Sequence, residues 1–281
     1  MAEARGSGRL ALAAAAFSSN WRNPNLRRAQ LSFLGAWTAE WAFTVALGVV
    51  AYADGGALAV GLVGLLRMVP SAILAPLLSP FADRGRRERV LVVVSAARGV
   101  ATGAAALTVA LAGPTLVVYA LAVLSTIAAT LFRPAHSALL PTLCRTGHEL
   151  TSANVVRGML DSVATLVGPL LATVLLAVAD VSVVFAVAAG ASIWAALLLL
   201  RVRYDSAPRA AAPRGPGLLR EAADGIRAVA GRPDLQLILI LAAAQSLTRG
   251  ALTVFSVVVA IELLGTGEPG VGALMAAVGV G

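Results

Sequence analysis

The positions of arginine relative to long apolar segments constrain the fold of this chain more than any other feature. Seven apolar segments are each about as long as a helix that crosses a hydrocarbon core of about 30 Å, at residues 31–53, 57–82, 90–111, 115–135, 152–179, 181–200 and 235–264. Arginine is absent from every second connection, namely 54–57, 112–114, 179–181 and 265–269. Since basic residues stay in the cytoplasm, the pattern predicts an all-α, multi-pass protein of the inner (plasma) membrane with a cytoplasmic N-terminus.

The composition agrees with a membrane protein and argues against several kinds of site. Hydrophobic residues make up 59% of the chain and charged residues 13%, about half of the charged share in globular proteins. The net charge of +8 lies mostly in cytoplasmic loops, where we expect contact with anionic lipid headgroups rather than nucleic acid. The single cysteine, Cys144, excludes an intramolecular disulfide. His136 and His148 have no metal-ligand spacing and are interpreted as solvated loop residues, so no metal or cofactor is predicted.

The spacing of the segments divides the chain into four parts. Residues 1–30 form a cytoplasmic arm, and residues 31–200 form a bundle of six transmembrane helices. Residues 201–234 are a cytoplasmic linker, and residues 235–281 start a second transmembrane bundle. Within the linker, apolar and charged residues segregate at helical spacing over residues 219–230. This predicts an amphipathic helix on the membrane surface.

An eighth span begins near the end of the sequence. It starts at Gly270, and its twelve residues cover about 18 Å as a helix. A carboxylate at Gly281 would then lie inside the bilayer, where a charge is costly. We therefore expect the chain to continue, and the alternative is a half-protein that pairs with another chain.

A weak internal repeat suggests that the two bundles are related. A shift of 209 residues aligns Thr44 with Thr253 and places Glu40 opposite Arg249. Parallel repeats of this kind occur in one large class of secondary transporters, where the substrate site lies between the repeats.

The connection between the second and third spans carries a recognisable motif. Residues 79–89 read Ser-Pro-Phe-Ala-Asp-Arg-Gly-Arg-Arg-Glu-Arg. This resembles the signature loop of the major facilitator superfamily, a glycine followed by Asp-Arg, a second glycine and two basic residues. Here Ser79 stands at the first glycine position, and the second glycine comes one position early. The resemblance implies that Asp83, Arg84 and Arg87 form a cytoplasmic gate, because a carboxylate at a helix end can bond to backbone N–H groups and to arginines.

Further resemblances concern the branch of the superfamily. Gly168 and Pro169 in the fifth span resemble the motif of its drug:proton antiporters, although Gly-Pro also produces a kink with close packing in any membrane helix. Residues 132–141, 149–154 and 220–227 resemble the enterobactin-exporter-like and macrolide-efflux-like permeases. The arginine that many antiporters of the superfamily carry in the middle of the fourth span is absent from residues 120–130, so no role of that arginine is transferred.

Ionisable residues inside the predicted spans are costly and therefore mark candidate functional sites. Arg157 and Asp161 are four residues apart on one helix face, which predicts a direct ion pair. That pair either stabilises the six-helix bundle or makes Asp161 part of a proton relay. The residues singled out on this ground are Glu40, Arg67, Arg98, Arg157, Asp161 and Arg249.

Glu40 is the leading candidate for proton coupling. It is the acidic residue of the first span and lies beside Trp37 and Trp41. We expect it to bind and release protons near neutral pH, because desolvation favours the neutral form of a carboxyl group. The alternative is a permanent salt bridge to Arg67 or Arg98.

The family resemblance also implies a substrate cavity. In the major facilitator architecture, the first and seventh spans face each other across a central cavity. Glu40 and Arg249 are then expected on opposite sides of the substrate path. The residues predicted to line that path are Trp37, Thr38, Trp41, Thr44, Gln245 and Thr248.

Together these features predict a proton-coupled exporter of small amphipathic compounds, such as drugs or siderophores. It is expected to work by alternating access and, when complete, as a monomer. The alternatives are a regulated or sensor permease with a C-terminal soluble ligand-binding domain and a non-transporting half-permease. An intramembrane enzyme is disfavoured because the sequence has no His-Glu-x-x-His or Gly-x-Ser-x-Gly motif. A phosphate-binding loop ending in Gly-Lys-Ser/Thr is also absent, which argues against ATP-driven transport.

Overall fold

The architecture is helical throughout the part of the chain that is described. The computed structural model describes residues 18, 21–84, 86–203, 227 and 230–280, apart from the side chains of residues 76, 77, 79–84 and 278–280. The elements in chain order are α1 (Pro24–Arg84), α2 (Arg87–Ala110), α3 (Thr115–Thr130), α4 (Phe132–Leu143), α5 (Gly147–Val178), α6 (Val181–Leu200), α7 (Pro233–Val258), a π-helical turn (Val259–Leu263) and α8 (Gly267–Val280).

Two adjacent glycines divide α1 into two arms. Gly55 has φ −163° and ψ 31°, and Gly56 has φ 63° and ψ −156°. The conformation of Gly56 is open essentially to glycine alone. The first arm (residues 24–54) and the second arm (residues 57–84) lie side by side, and they correspond to the first and second predicted spans.

The helices have the length and composition of membrane spans. Six helices in the described ranges are long and apolar enough to cross a membrane, and the first of them contains both arms of α1. Each of the seven predicted spans therefore coincides with helix. Large apolar side chains such as Leu62, Val100 and Leu116 remain exposed, as a lipid-facing surface requires. The prediction of an all-α, multi-pass membrane protein is confirmed.

The first helix starts earlier than predicted. α1 begins at Pro24, inside the segment predicted as a cytoplasmic arm, and its Leu26 and Ala29 are fully buried. The side chain of Asn25 donates to the Arg203 carbonyl at 2.5 Å and accepts from the Arg203 N–H at 3.2 Å. The start of α1 is thereby fixed to the point where the chain leaves α6.

The fourth predicted span, residues 115–135, is divided between two helices. α3 ends at Thr130, and after Leu131 the separate helix α4 runs to Leu143. The buried face of α4 recurs every three or four residues, which is the spacing of an amphipathic helix packed on a core. It consists of Phe132, Ala135, His136, Leu139, Leu140 and Leu143.

The bundle has two distinct ends. The kink end carries the connections at residues 55–56, 111–114, 179–180 and 264–266, and the arginine end carries those at residue 86 and at residues 144–146, 201–203 and 231–232. One buried cluster fills the kink end and includes Val45, Val49, Phe185 and Val257. A second cluster fills the arginine end and includes Leu26, Phe33, Phe132 and Leu199.

Small residues let the helices approach closely, as in many membrane proteins. A Cβ atom added at Gly99 of α2 would lie 2.5 Å from Cδ1 of Ile193 in α6. A Cβ atom at Gly35 of α1 would lie 2.8 Å from the ring of Trp194, also in α6. These contacts bind α6 to both α1 and α2.

Helices α7 and α8 pack on the six-span bundle at one end only. Val257 of α7 and Val271 of α8 are fully buried in the kink-end cluster. A Cβ atom at Gly272 of α8 would lie 2.6 Å from the Pro169 carbonyl of α5. By contrast, none of residues 233–255 is buried. The two parts of the molecule therefore meet near the kink end.

The amphipathic helix predicted in the linker falls mostly outside the described residues. Residues 204–226, 228 and 229 lie outside the described residues, and they contain most of the segment 219–230 predicted as an amphipathic helix.

Candidate functional site

A cavity of about 300 Å³ lies between the six-span bundle and the pair α7 and α8. Its walls come from the first arm of α1 and from α4, α5, α7 and α8. Apolar and aromatic side chains form part of the wall, and a few polar and charged groups are placed among them, as in small-molecule sites generally. The lining consists of Trp37, Trp41, Arg133, Asp161, Thr165, Arg249, Leu252, Thr253, Ser256 and Met275.

An arginine–aspartate pair forms one wall of the cavity. Nη2 of Arg133 lies 2.7 Å from Oδ1 of Asp161, and the two side chains are 41% and 38% exposed. The Arg133 guanidinium also lies over the Trp37 ring, 4.2 Å from its centre, in a cation–π contact. Trp37 in turn stacks on Phe33, with ring centres 5.9 Å apart. An aromatic stack therefore supports Arg133 while the ion pair remains open to the cavity.

The opposite wall is one face of α7. Arg249, Leu252, Thr253 and Ser256 follow each other at the spacing of a single helix face. The hydroxyls of Thr253 and Ser256 donate to the carbonyls of Arg249 and Leu252 at 2.9 and 2.7 Å. The hydroxyl oxygens of Thr253 and Ser256 can still accept hydrogen bonds from a ligand. Among the described residues, no salt-bridge or hydrogen-bond partner reaches the Arg249 guanidinium.

The cavity is closed toward the kink end. Gly48 brings the first arm of α1 against α7, and a Cβ atom there would lie 3.1 Å from Cγ2 of Val257. Beyond this contact, the hydroxyl of Tyr52 donates to Oε1 of Glu262 in the π-helical turn at 2.6 Å. Such π-helical turns are frequent at functional sites. This hydrogen bond joins the first arm of α1 to the π-helical turn at the closed end of the cavity.

Glu40 lies in a buried network of charges next to the cavity wall. Its two carboxylate oxygens lie 3.2 Å from Nη2 of Arg67 and 2.5 Å from Nη2 of Arg98. Nε of Arg67 donates to Oγ1 of Thr126 at 2.8 Å, and the Arg67 guanidinium lies 4.9 Å from the centre of the Phe43 ring. The side chains of Arg67 and Arg98 are only 5% and 3% exposed. We call Glu40, Arg67 and Arg98 the charge triad.

The charge triad is best satisfied when Glu40 is ionised. With all three groups charged, its net charge is +1. Protonation of Glu40 would leave two buried guanidinium groups beside each other without compensation, which is strongly unfavourable. Glu40 thus contacts both arginines that the sequence offered as alternative partners.

A comparison with known protein families identifies the family of the chain. The sequence pattern of the Major Facilitator Superfamily matches residues 31–281. The chain belongs to the major facilitator superfamily. No curated protein and no solved structure matches it significantly. The chain is thus a membrane transporter of the major facilitator type, and its cavity lies between the two parts of the molecule, where transporters built from parallel repeats bind substrate.

The ion pair predicted within α5 of this major facilitator protein does not form. Asp161 pairs with Arg133 of α4, and Arg157 instead donates from Nη1 to Oγ of Ser137 at 2.6 Å. The Arg157 guanidinium also lies over Phe33, 5.7 Å from the ring centre. Both partners lie on α4, so tertiary contacts override the local spacing rule. Arg133 lies near the end of the predicted fourth span, but it was not among the predicted site residues.

Four residues predicted to line the substrate path do not line the cavity. Thr38 presents its carbonyl oxygen to α5, and the hydroxyl of Thr44 donates to the Glu40 carbonyl at 2.8 Å. Gln245 and Thr248 are exposed on the part of α7 that leaves the bundle. Of the predicted set, Trp37 and Trp41 line the cavity, as does Arg249 opposite them.

The lining residues that the prediction omitted follow helical spacing. Thr165 lies one turn after Asp161, and Leu252 and Ser256 lie on the same face as Arg249. Counting by three and four from the charged residues would have found them. Met275 of α8 has no such marker in the sequence.

The Gly168–Pro169 segment of this transporter makes close contacts on two sides. A Cβ atom at Gly168 would lie 2.5 Å from Cβ of Trp41 and 2.8 Å from the Thr38 carbonyl. On the other side, the Pro169 carbonyl meets Gly272 of α8. Close packing, which Gly-Pro gives in any membrane helix, is therefore present, and it connects α5 to both walls of the cavity.

The signature loop is described in part. The side chains of Asp83 and Arg84 lie outside the described residues, so their predicted gate role has no contact to support it. Arg87 donates from Nη1 to the Ala138 carbonyl of α4 at 2.7 Å. This bond links α2 and α4 at the arginine end, where the resemblance places the cytoplasmic gate.

His136 is not the solvated loop residue that the sequence suggested. It is fully buried on α4, and its Nε2 lies 3.1 Å from the Ala29 carbonyl. The ring lies between Phe33 and Phe132, with ring centres 4.9 and 6.1 Å away. It is a packed core residue, whereas His148 is exposed as expected.

Proposed function

We propose that this major facilitator transporter is a proton-coupled exporter of small amphipathic compounds, with Asp161 as the coupling carboxylate. The observation that carries the proposal is the half-exposed ion pair between Asp161 and Arg133 in the wall of the cavity. In this pair, Asp161 is a titratable carboxylate, and Arg133 is a partner that a substrate group could replace. Both lie where a substrate would bind.

The geometry of the pair suits proton exchange. Asp161 has one salt bridge, its side chain is 38% exposed, and the cavity gives protons a path to it. Protonation of Asp161 would release Arg133, which could then bind a substrate group or let α4 and α5 move relative to each other. Deprotonation would restore the pair. Proton binding and substrate binding are thereby linked through Arg133.

The charge triad is less suited to this role. Glu40 holds two buried arginines at once, so a proton at Glu40 would compete with both of them. We propose that the triad keeps Glu40 ionised and stabilises the six-span bundle. We therefore assign the proton-coupling role, which the sequence suggested for Glu40, to Asp161 instead.

Orientation and direction of transport complete the proposal. We place the arginine end in the cytoplasm, because arginine-rich connections are retained there. The cavity is then closed toward the outside by Tyr52 and Glu262. Export is supported by the antiporter-like Gly168–Pro169 motif and by the resemblance of residues 132–141 to exporter-like permeases.

Inside-out membrane vesicles that contain the full chain provide the test. Their interior is acidified, and a pH-sensitive dye reports the gradient. A panel of amphipathic compounds that are uncharged or permanently charged is added, so that weak-acid and weak-base leakage cannot dissipate the gradient. Antiport is expected to release protons from the interior when a substrate is supplied. Asp161→Asn is expected to abolish this release.

Asp180→Asn serves as the matched control, because Asp180 is an exposed aspartate at the kink end, away from the cavity. It is expected to leave substrate-driven proton release intact. Equal proton release by Asp161→Asn and the unmodified chain would refute the role of Asp161. If no compound in the panel releases protons, the proposal of proton antiport fails.

A further inference from the structure

We infer that the cavity selects amphipathic organic anions. This inference rests on the proposed transport function, since it names the substrate class of the same cavity. Its first support is the balance of formal charge in the lining. Arg133 and Arg249 contribute two positive charges, and Asp161 contributes one negative charge that is already paired with Arg133. The lining therefore has a net charge of +1.

Arg249 is the group that an anion would meet. It lies across the cavity from the Arg133–Asp161 pair, and within the described ranges its guanidinium has no carboxylate partner. A guanidinium presents a planar set of donors that fits carboxylate, sulfonate and phosphate groups in two-bond geometry. An anionic group of the substrate would supply the missing partner.

The surroundings of the cavity favour the same sign of charge. The charge triad adds a second net positive charge, and its Glu40 directly precedes the lining residue Trp41 on the first arm of α1. Charges of one sign in a cleft with low-dielectric walls attract ligands of the opposite sign. Hydrogen-bond donors are also in excess, because Nε1 of Trp41 and Nε of Arg133 are buried without an acceptor among the described residues.

The rest of the lining defines the body of the ligand. Trp41, Leu252 and Met275 offer aromatic and apolar surface beside Arg249. A volume of about 300 Å³ is at the lower end of the range for small-molecule sites. A compound with one or two rings and one anionic group matches both the size and the chemistry.

A cationic substrate fits the cavity less well. It would have to displace Arg133 from Asp161 before it gained a carboxylate partner, and it would face Arg249 during entry. Repulsion from two arginines and the loss of an existing salt bridge both act against it.

Three naphthalene probes that differ in charge test the inference. They are naphthalene-2-sulfonate, naphthalen-2-ylmethanol and (naphthalen-2-ylmethyl)trimethylammonium. Binding to the purified full chain in detergent is measured by equilibrium dialysis, without a proton gradient, and empty micelles are subtracted. The sulfonate is expected to bind at least about tenfold more tightly than the alcohol, because a charge-assisted pair with arginine contributes that much. The ammonium probe is expected to bind most weakly.

Arg249→Gln is expected to bring the affinities of the sulfonate and the alcohol to within about threefold of each other, because the anion partner is removed. Arg145→Gln, which changes an exposed arginine outside the cavity, is the matched control and should preserve the preference. Preference for the ammonium probe, equal binding of all three probes or no binding of any probe overturns the inference. So does a preference that Arg249→Gln leaves unchanged.

The outcome is separable from that of the transport assay. Selective sulfonate binding without substrate-driven proton release in vesicles would refute antiport but leave the anion site standing. Proton release driven only by cations would refute the anion site but leave antiport standing.

Discussion

Replacing Glu40 by glutamine tests the charge triad directly. In the wild-type chain, one carboxylate compensates two guanidinium groups whose side chains are 5% and 3% exposed. Glu40→Gln keeps the shape of the side chain but removes its charge. The net charge of the site then rises from +1 to +2 in a region from which water is largely excluded. Neither Arg67 nor Arg98 retains a carboxylate partner among the described residues.

The expected loss of stability is large. Removing one partner of a buried ion pair typically costs about 3–5 kcal/mol, because the remaining charge is left uncompensated. Here two charges lose compensation, although Arg67 keeps its hydrogen bond to Thr126 and its contact with Phe43. We therefore expect the free energy of unfolding to fall by about 3–5 kcal/mol.

A double-mutant cycle separates the charge effect from lost packing. Arg98→Met removes one cation and leaves Glu40 paired with Arg67, so its effect should be smaller than that of Glu40→Gln. Combining Glu40→Gln with Arg98→Met restores a net charge of +1. The double variant should be less destabilised than the sum of the single variants by about 0.5–3 kcal/mol, the usual coupling range for contacting residues.

Unfolding of the purified chain in mixed micelles, titrated with SDS and followed by tryptophan fluorescence, supplies the measurement. Glu268→Gln is the control, because Glu268 is exposed at the start of α8 and should change stability by less than about 1 kcal/mol. A loss below about 1 kcal/mol for Glu40→Gln would contradict the reasoning.

Two further predictions concern packing and thiol chemistry. Gly168→Ala is expected to destabilise the chain by about 1–3 kcal/mol in the same unfolding assay, because the new Cβ atom would overlap Trp41. Gly158→Ala, on the same helix with open space around it, should be neutral, and equal effects of the two variants would contradict the packing argument. Burial, and then the Glu149 carboxylate, raise the pKa of the Cys144 thiol to about 11. Alkylation of Cys144 by iodoacetamide at pH 7 should therefore be about 100-fold slower than that of a free thiol and accelerate as the pH rises toward 11, and a rate equal to that of SDS-unfolded protein would refute this.

The course of the chain through the membrane was predictable because membrane spans follow from composition and length. The kink at Gly55 and Gly56 coincides with the predicted connection, since glycine can adopt the positive φ that the turn requires. The break at Leu131 was not predicted, although Pro134 in the first turn of α4 marks it, because proline has no N–H to bond the Thr130 carbonyl.

Side-chain partners were less predictable than helices, for a physical reason. The spacing of Arg157 and Asp161 allows a pair, but helix packing decides which of several nearby charges is closest. For the same reason, the sequence could offer Arg67 and Arg98 as alternative partners of Glu40 without showing that both contact it. His136 was misassigned although it belongs to the apolar stripe of α4, because its polarity was weighed above its position in that stripe.

The two carboxylate–arginine sites in and next to the cavity wall differ in burial, and this difference suggests different roles. Glu40 is shared by two buried arginines, and a change in its protonation would disrupt the bundle that holds them. Asp161 has one half-exposed arginine partner in the wall of a cavity, where a ligand can reach both groups. Gly168 connects the sites, because the contact that it permits brings Trp41, next to Glu40, against the helix that carries Asp161. In the proposed function, the buried charge triad positions the wall of a site whose own ion pair opens and closes.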